Sequence, residues 1–196
     1  NFTYVPARDT WKLDPNAAYV HVCTNETIGG VEYAEAPDVG DVPLVADASS
    51  HILSRVIDVS RYSVIYGGAQ KNAGPAGLTV VIVRDDLLDR ALPITPSAFH
   101  WKEQAAADSM LNTPPTFSWY VSGLVFKWIK GVGGLPGMAQ INQRKAAVLY
   151  DYLDSQAFYK NPVAKDARSW MNVVFTLPSE AMEAEFPKGA KAAGLD

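Results

Sequence analysis

Four short runs rich in β-branched residues constrain the fold of this 196-residue chain more than any other feature. The runs are AYVHVC at 18–23, VPLVA at 42–46, YSVIYG at 62–67 and LTVVIV at 78–83. Each has little polar interruption, which is typical of strands that are covered on both faces. The stretches that link the first three runs are long enough for the crossover that parallel strands require, although they are not strongly helical.

The fourth run follows the third too closely for a parallel crossover. Only residues 68–77 separate them, whereas a parallel connection needs about a dozen residues or more. We therefore expect 78–83 to run antiparallel to 62–67. Together the four runs predict an α/β protein with a mainly parallel sheet.

Helical patterns dominate after residue 84. DDLLDRA, at 85–91, begins with acidic residues that suit a helix N-terminus, and 117–132 is apolar nearly all round, as in a buried helix. Its aromatic residues are accordingly expected in the core: Trp119, Tyr120, Phe126 and Trp128.

The remainder of the chain predicts the start of a second domain. Apolar residues at spacings of three and four predict an amphipathic helix over 137–157, with Met138, Val148 and Tyr152 on its apolar face. GVGGLPG just before it is the predicted domain boundary, so 1–136 and 137–196 are assigned to different domains. WMNVVFTL, at 170–177, is predicted to be a strand of the second unit.

Composition excludes several classes of protein. A formal net charge of -4 gives no basic surface for nucleic acid, and Cys23 as the one cysteine allows no internal disulfide. No charged-then-apolar leader or long apolar run is present, so we expect a cytoplasmic protein without a membrane partner. The histidines show no metal-ligand spacing with Cys23, and no metal site is expected.

Polar residues follow the first three predicted strands. They are Thr27, Asp47, Gln70 and Lys71. Because ligands in open α/β sheets bind beyond the carboxyl ends of the strands, these side chains form a candidate site. Each also has a structural explanation, since Thr27 and Asp47 are typical caps and Lys71 is a typical solvated turn residue.

The surroundings of Lys71 favour a chemical role. Glycines precede and follow it, which leaves room for a bulky ligand to approach the main chain. We expect Lys71 to be crowded and partly desolvated. Desolvation favours the neutral amine, which can attack an aldehyde to form a Schiff base.

Three blocks of the sequence resemble the phosphoserine aminotransferase family: CTNETIGG, the run from VADASSHILSR to VIVRDDLL, and SMLNTPPTFSWYVSGLVFKWIK. The resemblance covers about residues 18–175, and its GAQKNAGPAG and NTPPT motifs are highly specific. It implies a three-layer α/β/α sandwich of the pyridoxal-phosphate-dependent transferase type (fold type I). Residues 1–136 would belong to the large domain that binds pyridoxal 5'-phosphate, and 137–196 would begin the small C-terminal domain.

The resemblance implies a role for each candidate residue. Lys71 matches the lysine that holds pyridoxal phosphate as an aldimine, and Asp47 matches the aspartate that pairs with the pyridine nitrogen. Thr27 matches the threonine beside the ring hydroxyl, and Gln70 a contact to the cofactor phosphate. Asp47 and Lys71 are therefore the expected catalytic residues.

The resemblance also implies partners and substrates. Asn112 and Thr113, in LNTPPT, match a pair that contacts the cofactor phosphate of the other subunit, so we expect a homodimer with shared active sites. The implied reaction passes the amino group of glutamate to 3-phosphohydroxypyruvate, giving phosphoserine for serine biosynthesis, with a second role in pyridoxine biosynthesis.

The chain is expected to be a central fragment of a longer enzyme and inactive alone. The family segments that carry the phosphate-binding loop, the ring-stacking aromatic and the substrate-binding arginines have no match in this sequence. Two alternatives stay open: a catalytically silent α/β scaffold or dimerisation fragment, and a fold type I enzyme with another amino-acid substrate.

Overall fold

The structure is a computed structural model that describes residues 3–195. Its strands are β1 (Val20–Cys23), β2 (Asn25–Glu26), β3 (Val31–Glu32), β4 (Leu44–Asp47), β5 (Val64–Gly68) and β6 (Thr79–Val83). Its α-helices are α1 (Trp101–Ala106), α2 (Thr116–Gly131), α3 (Gly134–Ser155) and α4 (Glu180–Ala192).

A four-stranded sheet confirms the prediction of a mainly parallel α/β fold. Its strand order is β1-β4-β5-β6, in which β1, β4 and β5 are parallel and β6 is antiparallel to β5. The antiparallel direction of β6 follows from the short connection after β5, as expected. In this register Cys23 lies opposite Asp47, and Asp47 lies opposite Tyr66.

The two faces of the sheet have different surroundings. One face carries Val22, Ala46 and Ile65, which are buried in the main hydrophobic core. The other face carries His21, Cys23 and Val81, which are exposed. The expectation that both faces are covered is therefore wrong for this chain, because the segment 87–101 lies over only part of the second face.

The connections between the strands differ from the predicted pattern. The link from β1 to β4 contains the antiparallel ribbon of β2 and β3, which the sequence patterns did not reveal. The predicted helix at 85–91 is only a 3-10 turn at Asp85–Leu87. Pro93 limits any helix in this stretch to residues before Leu92, because a proline disfavours helical backbone at the residue that precedes it.

The aromatic residues of α2 are exposed, and their predicted core position is wrong for this chain. The buried residues of α2 are Ser118, Ser122 and Ile129. The loop after β5 packs on the side of Ser118 and Ser122, and the helix leaves its large apolar surface open: Phe117, Trp119, Tyr120, Leu124, Phe126 and Trp128 are exposed.

Helix α3 was correctly predicted, and Met138 is buried as expected, but the rest of its predicted apolar face is wrong. Met138, Asn142, Ala146 and Tyr150 form the buried stripe, whereas Val148 and Tyr152 are exposed. The spacing of four keeps this stripe on one side of the helix. The predicted boundary between 136 and 137 falls in the first turn of α3, and the division into two domains remains a prediction.

The predicted strand at 170–177 is wrong, because that stretch is irregular apart from an isolated bridge between Lys160 and Thr176. Its backbone instead contacts the β2–β3 ribbon. The Ser169 N–H donates to the carbonyl of Gly30, and the Trp170 N–H donates to the Glu32 carboxylate. Within residues 3–195 no helix is long and apolar enough to cross a membrane.

Candidate active site

The loop after β5 places Lys71 at the carboxyl edge of the sheet. The amide of Gly74 donates to the carbonyl of Ala69 at 2.8 Å, which closes a single helical turn around Lys71. The Lys71 side chain is exposed rather than crowded, so that expectation is wrong for this chain. Its Nζ donates to Thr27 Oγ1 at 2.8 Å, which brings two of the predicted site residues into contact.

The glycine in the middle of this loop serves its packing on α2. A Cβ at Gly74 would lie 2.1 Å from Oγ of Ser122, so a larger residue would push the loop off the helix. Ser118 Oγ reinforces the contact by donating to the carbonyl of Ala76 at 2.6 Å. Gly74 therefore makes room for a protein helix, which corrects its interpretation as room for a ligand.

Asp47 ends β4 and is half-buried. Its Oδ1 accepts a hydrogen bond from the Ser49 amide at 2.9 Å. Ser49 Oγ in turn accepts from the Gly68 amide at 3.1 Å, which ties the ends of β4 and β5 together. The carboxylate is thereby oriented at the same edge from which the Lys71 loop departs.

Two side chains that the sequence analysis missed flank Asp47 on the open face of the sheet. Burial raises the pKa of the Tyr66 hydroxyl, and the negative charge of Asp47 raises it further. Cys23 is exposed as a residue, but partial burial of its thiol and then the charge of Asp47 likewise raise the pKa of that thiol. Tyr66 also hydrogen-bonds His21 Nε2 at 3.0 Å. Period-two alternation along the strands would have identified this face.

The remaining predicted residues lie around this centre without contacting it. The exposed Gln70 side chain folds over Gly68, where a Cβ would lie 2.3 Å from Gln70 Oε1. Asn112 and Thr113 lie in the exposed loop between α1 and α2 and line a cavity together with Tyr66. Within residues 3–195 neither forms a hydrogen bond with Lys71 or Asp47.

The side chains at this edge fit pyridoxal phosphate chemically. An accessible amine on Lys71 suits the cofactor's aldehyde, and a carboxylate on Asp47 suits a protonated pyridine nitrogen. The charge of Asp47 raises the pKa values of Tyr66 and Cys23, which favours their neutral forms and leaves Asp47 as the charged group among the three. We conclude that the residues present can hold this group.

Known proteins with similar sequences span more than this chain. A phosphoserine aminotransferase from Herminiimonas arsenicoxydans is 66% identical over 186 residues, which cover 95% of this chain and 51% of that protein. One from Janthinobacterium sp. (strain Marseille) is 62% identical over 195 residues, with coverages of 100% and 54%. The chain thus spans about half the length of the curated relatives it matches.

Solved structures confirm the fold that the resemblance implied. Phosphoserine aminotransferase from Bacillus circulans subsp. alkalophilus matches with a TM-score of 0.94 and 43% identity, over 100% of this chain and 54% of that chain. The pyridoxal-phosphate-bound enzyme from Trichomonas vaginalis matches with a TM-score of 0.92 and 40% identity, over 100% and 56%. The family model of class-V aminotransferases matches residues 2–186. The chain therefore belongs to the class-V aminotransferase family.

Proposed function

We propose that the enzyme containing this chain is a pyridoxal-phosphate-dependent phosphoserine transaminase. It would pass the amino group of glutamate to 3-phosphohydroxypyruvate. The observation that carries the proposal is the 2.8 Å contact between Lys71 and Thr27 at the edge where Asp47 ends β4. The similarity to phosphoserine aminotransferases, at up to 66% identity, supports the substrate assignment.

Asp47 tunes the site electrostatically. When bound, pyridoxal phosphate supplies an electron sink for the pair of electrons released as the Cα–H bond of an amino acid breaks. A carboxylate beside the ring nitrogen favours the protonated ring, which accepts those electrons more readily. The amide of Ser49 holds Asp47 in place for that interaction.

Lys71 has two roles in this proposal. Its Nζ would hold the cofactor, and as a free amine beside the substrate it would carry the proton away from the substrate Cα. Thr27 orients the amine through their hydrogen bond. The single turn closed by Gly74 and Ala69 fixes the backbone from which Lys71 projects. An amine held beside the substrate transfers the proton faster than a free amine in solution, because the reaction no longer requires a bimolecular encounter.

Asn112 and Thr113 are proposed to bind the cofactor phosphate of a partner subunit, which makes the active enzyme a homodimer. Both residues are exposed and lie next to Pro114 and Pro115. The prolines restrict the backbone and present the two polar side chains at a fixed geometry. Gln70 would contribute a further neutral donor to the phosphate within its own subunit.

The domain division and cellular location complete the proposal. Residues 1–136 are assigned to the large cofactor-binding domain and 137–196 to the small domain, and the enzyme is assigned to the cytoplasm.

The two substrates carry several negative charges each, and arginine side chains are needed to bind them. Because no arginine in this chain matches such a clamp, we expect residues 1–196 expressed alone to lack transaminase activity.

Borohydride reduction of the full-length enzyme tests the proposal. The enzyme should be yellow, lose its visible absorbance on reduction, and carry the reduced cofactor on Lys71 by peptide mass spectrometry. Lys71→Ala should abolish the label and the formation of phosphoserine from glutamate. Lys130→Ala, at an exposed lysine of α2, is the matched control and should keep both. A label on another lysine, or an active Lys71→Ala enzyme, would contradict the assignment.

A further inference from the structure

A chain of buried polar side chains reaches the main chain of Asp47. Its first member is Thr24, which is 3% exposed. The Thr24 amide donates to the Asp47 carbonyl at 3.0 Å, and Thr24 Oγ1 lies 3.1 Å from the same oxygen. One residue thus contacts the main chain of Asp47 twice.

His51 is the second member of the chain and is 4% exposed. Its Nε2 lies 2.5 Å from Thr24 Oγ1, and its backbone amide donates to the carbonyl of Ala48 at 3.0 Å. Because Ala48 directly follows Asp47, this bond anchors the backbone of His51 to the end of β4. The Thr24 hydroxyl has a single hydrogen, which it donates to the Asp47 carbonyl, so His51 Nε2 donates to Thr24 Oγ1 and orients it.

Glu32 lies on the far side of the imidazole. Its Oε1 lies 3.5 Å from His51 Nδ1 and 2.8 Å from Nη2 of Arg55, and its Oε2 accepts from the Trp170 amide at 2.9 Å. Burial alone would raise the pKa of Glu32, but the bonds with His51 and Trp170 and the charge of Arg55 lower it overall.

We propose that His51 is a positioning residue for the proposed transamination, acting on Asp47 through Thr24. The inference rests on the proposed function, because Asp47 matters only as the partner of the cofactor ring. The carboxylate of Asp47 projects from a backbone unit whose carbonyl is held by Thr24. A displacement of about 1 Å in a positioned group is costly to catalysis, so the support behind Asp47 affects its fit to the ring nitrogen.

A purely structural role would not require this arrangement. Burying polar side chains costs free energy that apolar side chains of similar size avoid. Thr24, His51 and Glu32 nevertheless occupy adjacent buried positions, and their contacts end at the carbonyl of Asp47. This series of polar contacts leads from the Trp170 segment to Asp47, and for that reason we assign its residues a positioning role.

The test uses the full-length enzyme loaded with pyridoxal phosphate. Thr24→Val removes the hydroxyl but keeps the backbone bond to Asp47, Thr24→Ser restores the hydroxyl, and His51→Ala removes the ring. We expect Thr24→Val to lower kcat by about tenfold, as loss of partners that orient an active group does, while changing KM for glutamate less than about twofold. The pH titration of the cofactor's visible absorbance should shift as well, and Thr24→Ser should restore both values.

The control removes a buried hydroxyl elsewhere on the sheet. Ser63 is buried at the opposite end of β5 and its Oγ accepts from Arg84. Ser63→Ala should leave the absorbance titration and kcat unchanged. Because His51 acts through Thr24, the double variant with Thr24→Val and His51→Ala should lose no more rate than the worse single variant.

The outcomes separate this proposal from the proposed function. An active parent whose Thr24→Val variant keeps the parental titration and kcat would overturn the positioning role alone. An equal shift in Ser63→Ala, or additive losses in the double variant, would also overturn it. A parent that binds no pyridoxal phosphate would overturn both proposals. If His51→Ala does not fold, the comparison of Thr24→Val with Thr24→Ser decides the question.

Discussion

Lys71 Nζ and Thr27 Oγ1 lie 2.8 Å apart although 44 positions separate the two residues in the sequence. Their contact joins the loop after β5 to the turn that follows β2. Both lie beyond the carboxyl ends of parallel strands, where ligands of open α/β sheets bind. The pairing therefore places the candidate amine at the edge of the sheet that also presents Asp47.

Replacement of Asp47 should slow catalysis more than it weakens cofactor binding. In the full-length enzyme, Asp47→Asn keeps the shape of the side chain but removes the charge that favours a protonated ring. We expect kcat to fall by at least about tenfold, which corresponds to about 1.4 kcal/mol of lost transition-state stabilisation. Steady-state kinetics and cofactor absorbance measure the two effects. Asp41→Asn, at an exposed carboxylate, should retain the parental kcat, and an equally active Asp47→Asn enzyme would refute the role.

Asn112 and Thr113 should act across a subunit interface. Subunits that carry Lys71→Ala and subunits that carry Asn112→Ala with Thr113→Ala should each form inactive homodimers. A mixed dimer contains one intact site, so mixing should restore about a quarter of the parental activity if the subunits exchange at random. Exchange is measured with differently tagged subunits. Proven exchange without recovery would show that both residues act within their own chain.

Glu32 should stabilise the fold above its ordinary pKa of 4.5 and lose that contribution in acid. Its folded-state pKa is lowered because, against the opposing effect of burial, His51, Arg55 and Trp170 stabilise the carboxylate. A depressed folded pKa means that the stabilisation is present at neutral pH and is lost as pH falls through the folded value.

The stability difference between the parent enzyme and Glu32→Gln should therefore shrink as the pH falls from about 6 to below about 4, as measured by urea unfolding. Glu35→Gln, at an exposed neighbour, should show little pH-dependent difference from the parent. A difference that is constant over this pH range would mean that the charge of Glu32 does not contribute.

Gly30 should tolerate alanine less well than Gly40. Both have left-handed backbone, with φ of 69° and 67°, so alanine costs about 1 kcal/mol of strain at either site. A Cβ at Gly30 would also lie 2.6 Å from the carbonyl oxygen of Asn172, whereas nothing lies within 4 Å at Gly40. We expect Gly30→Ala to lower the free energy of unfolding by about 3 kcal/mol. Equal losses in denaturant unfolding would show that the Asn172 segment moves away freely.

Local patterns determined the strands and their directions. Each of the four β-branched runs overlaps a strand of the sheet, and the short connection after β5 required an antiparallel β6. The motif around Lys71 identified the family, and the helix over 137–157 followed from its spacing. These features depend on residues that are neighbours in the sequence, so one sequence contains enough information to predict them.

Tertiary packing decided which surfaces are buried. The sequence favoured a buried α2, but the loop after β5 contacts its serine side, and Trp119 and Trp128 remain exposed. Gly74 was assigned to a ligand because its partner, Ser122, lies far away in the sequence. An apolar or small residue indicates that another group packs against it, but the residue type does not specify whether that group is a ligand, a neighbouring helix or a loop.

The residues behind Asp47 were invisible to sequence patterns for the same reason. Thr24, Glu32, His51 and Trp170 have no regular spacing, and only the folded chain brings them together. The sequence by itself determined where the strands occur along the chain and which functional groups, such as an amine, a carboxylate and a hydroxyl, are available at the edge of the sheet. The tertiary structure decided which of those groups touch, because hydrogen bonds and packing depend on distances in space that the linear spacing of residues does not set.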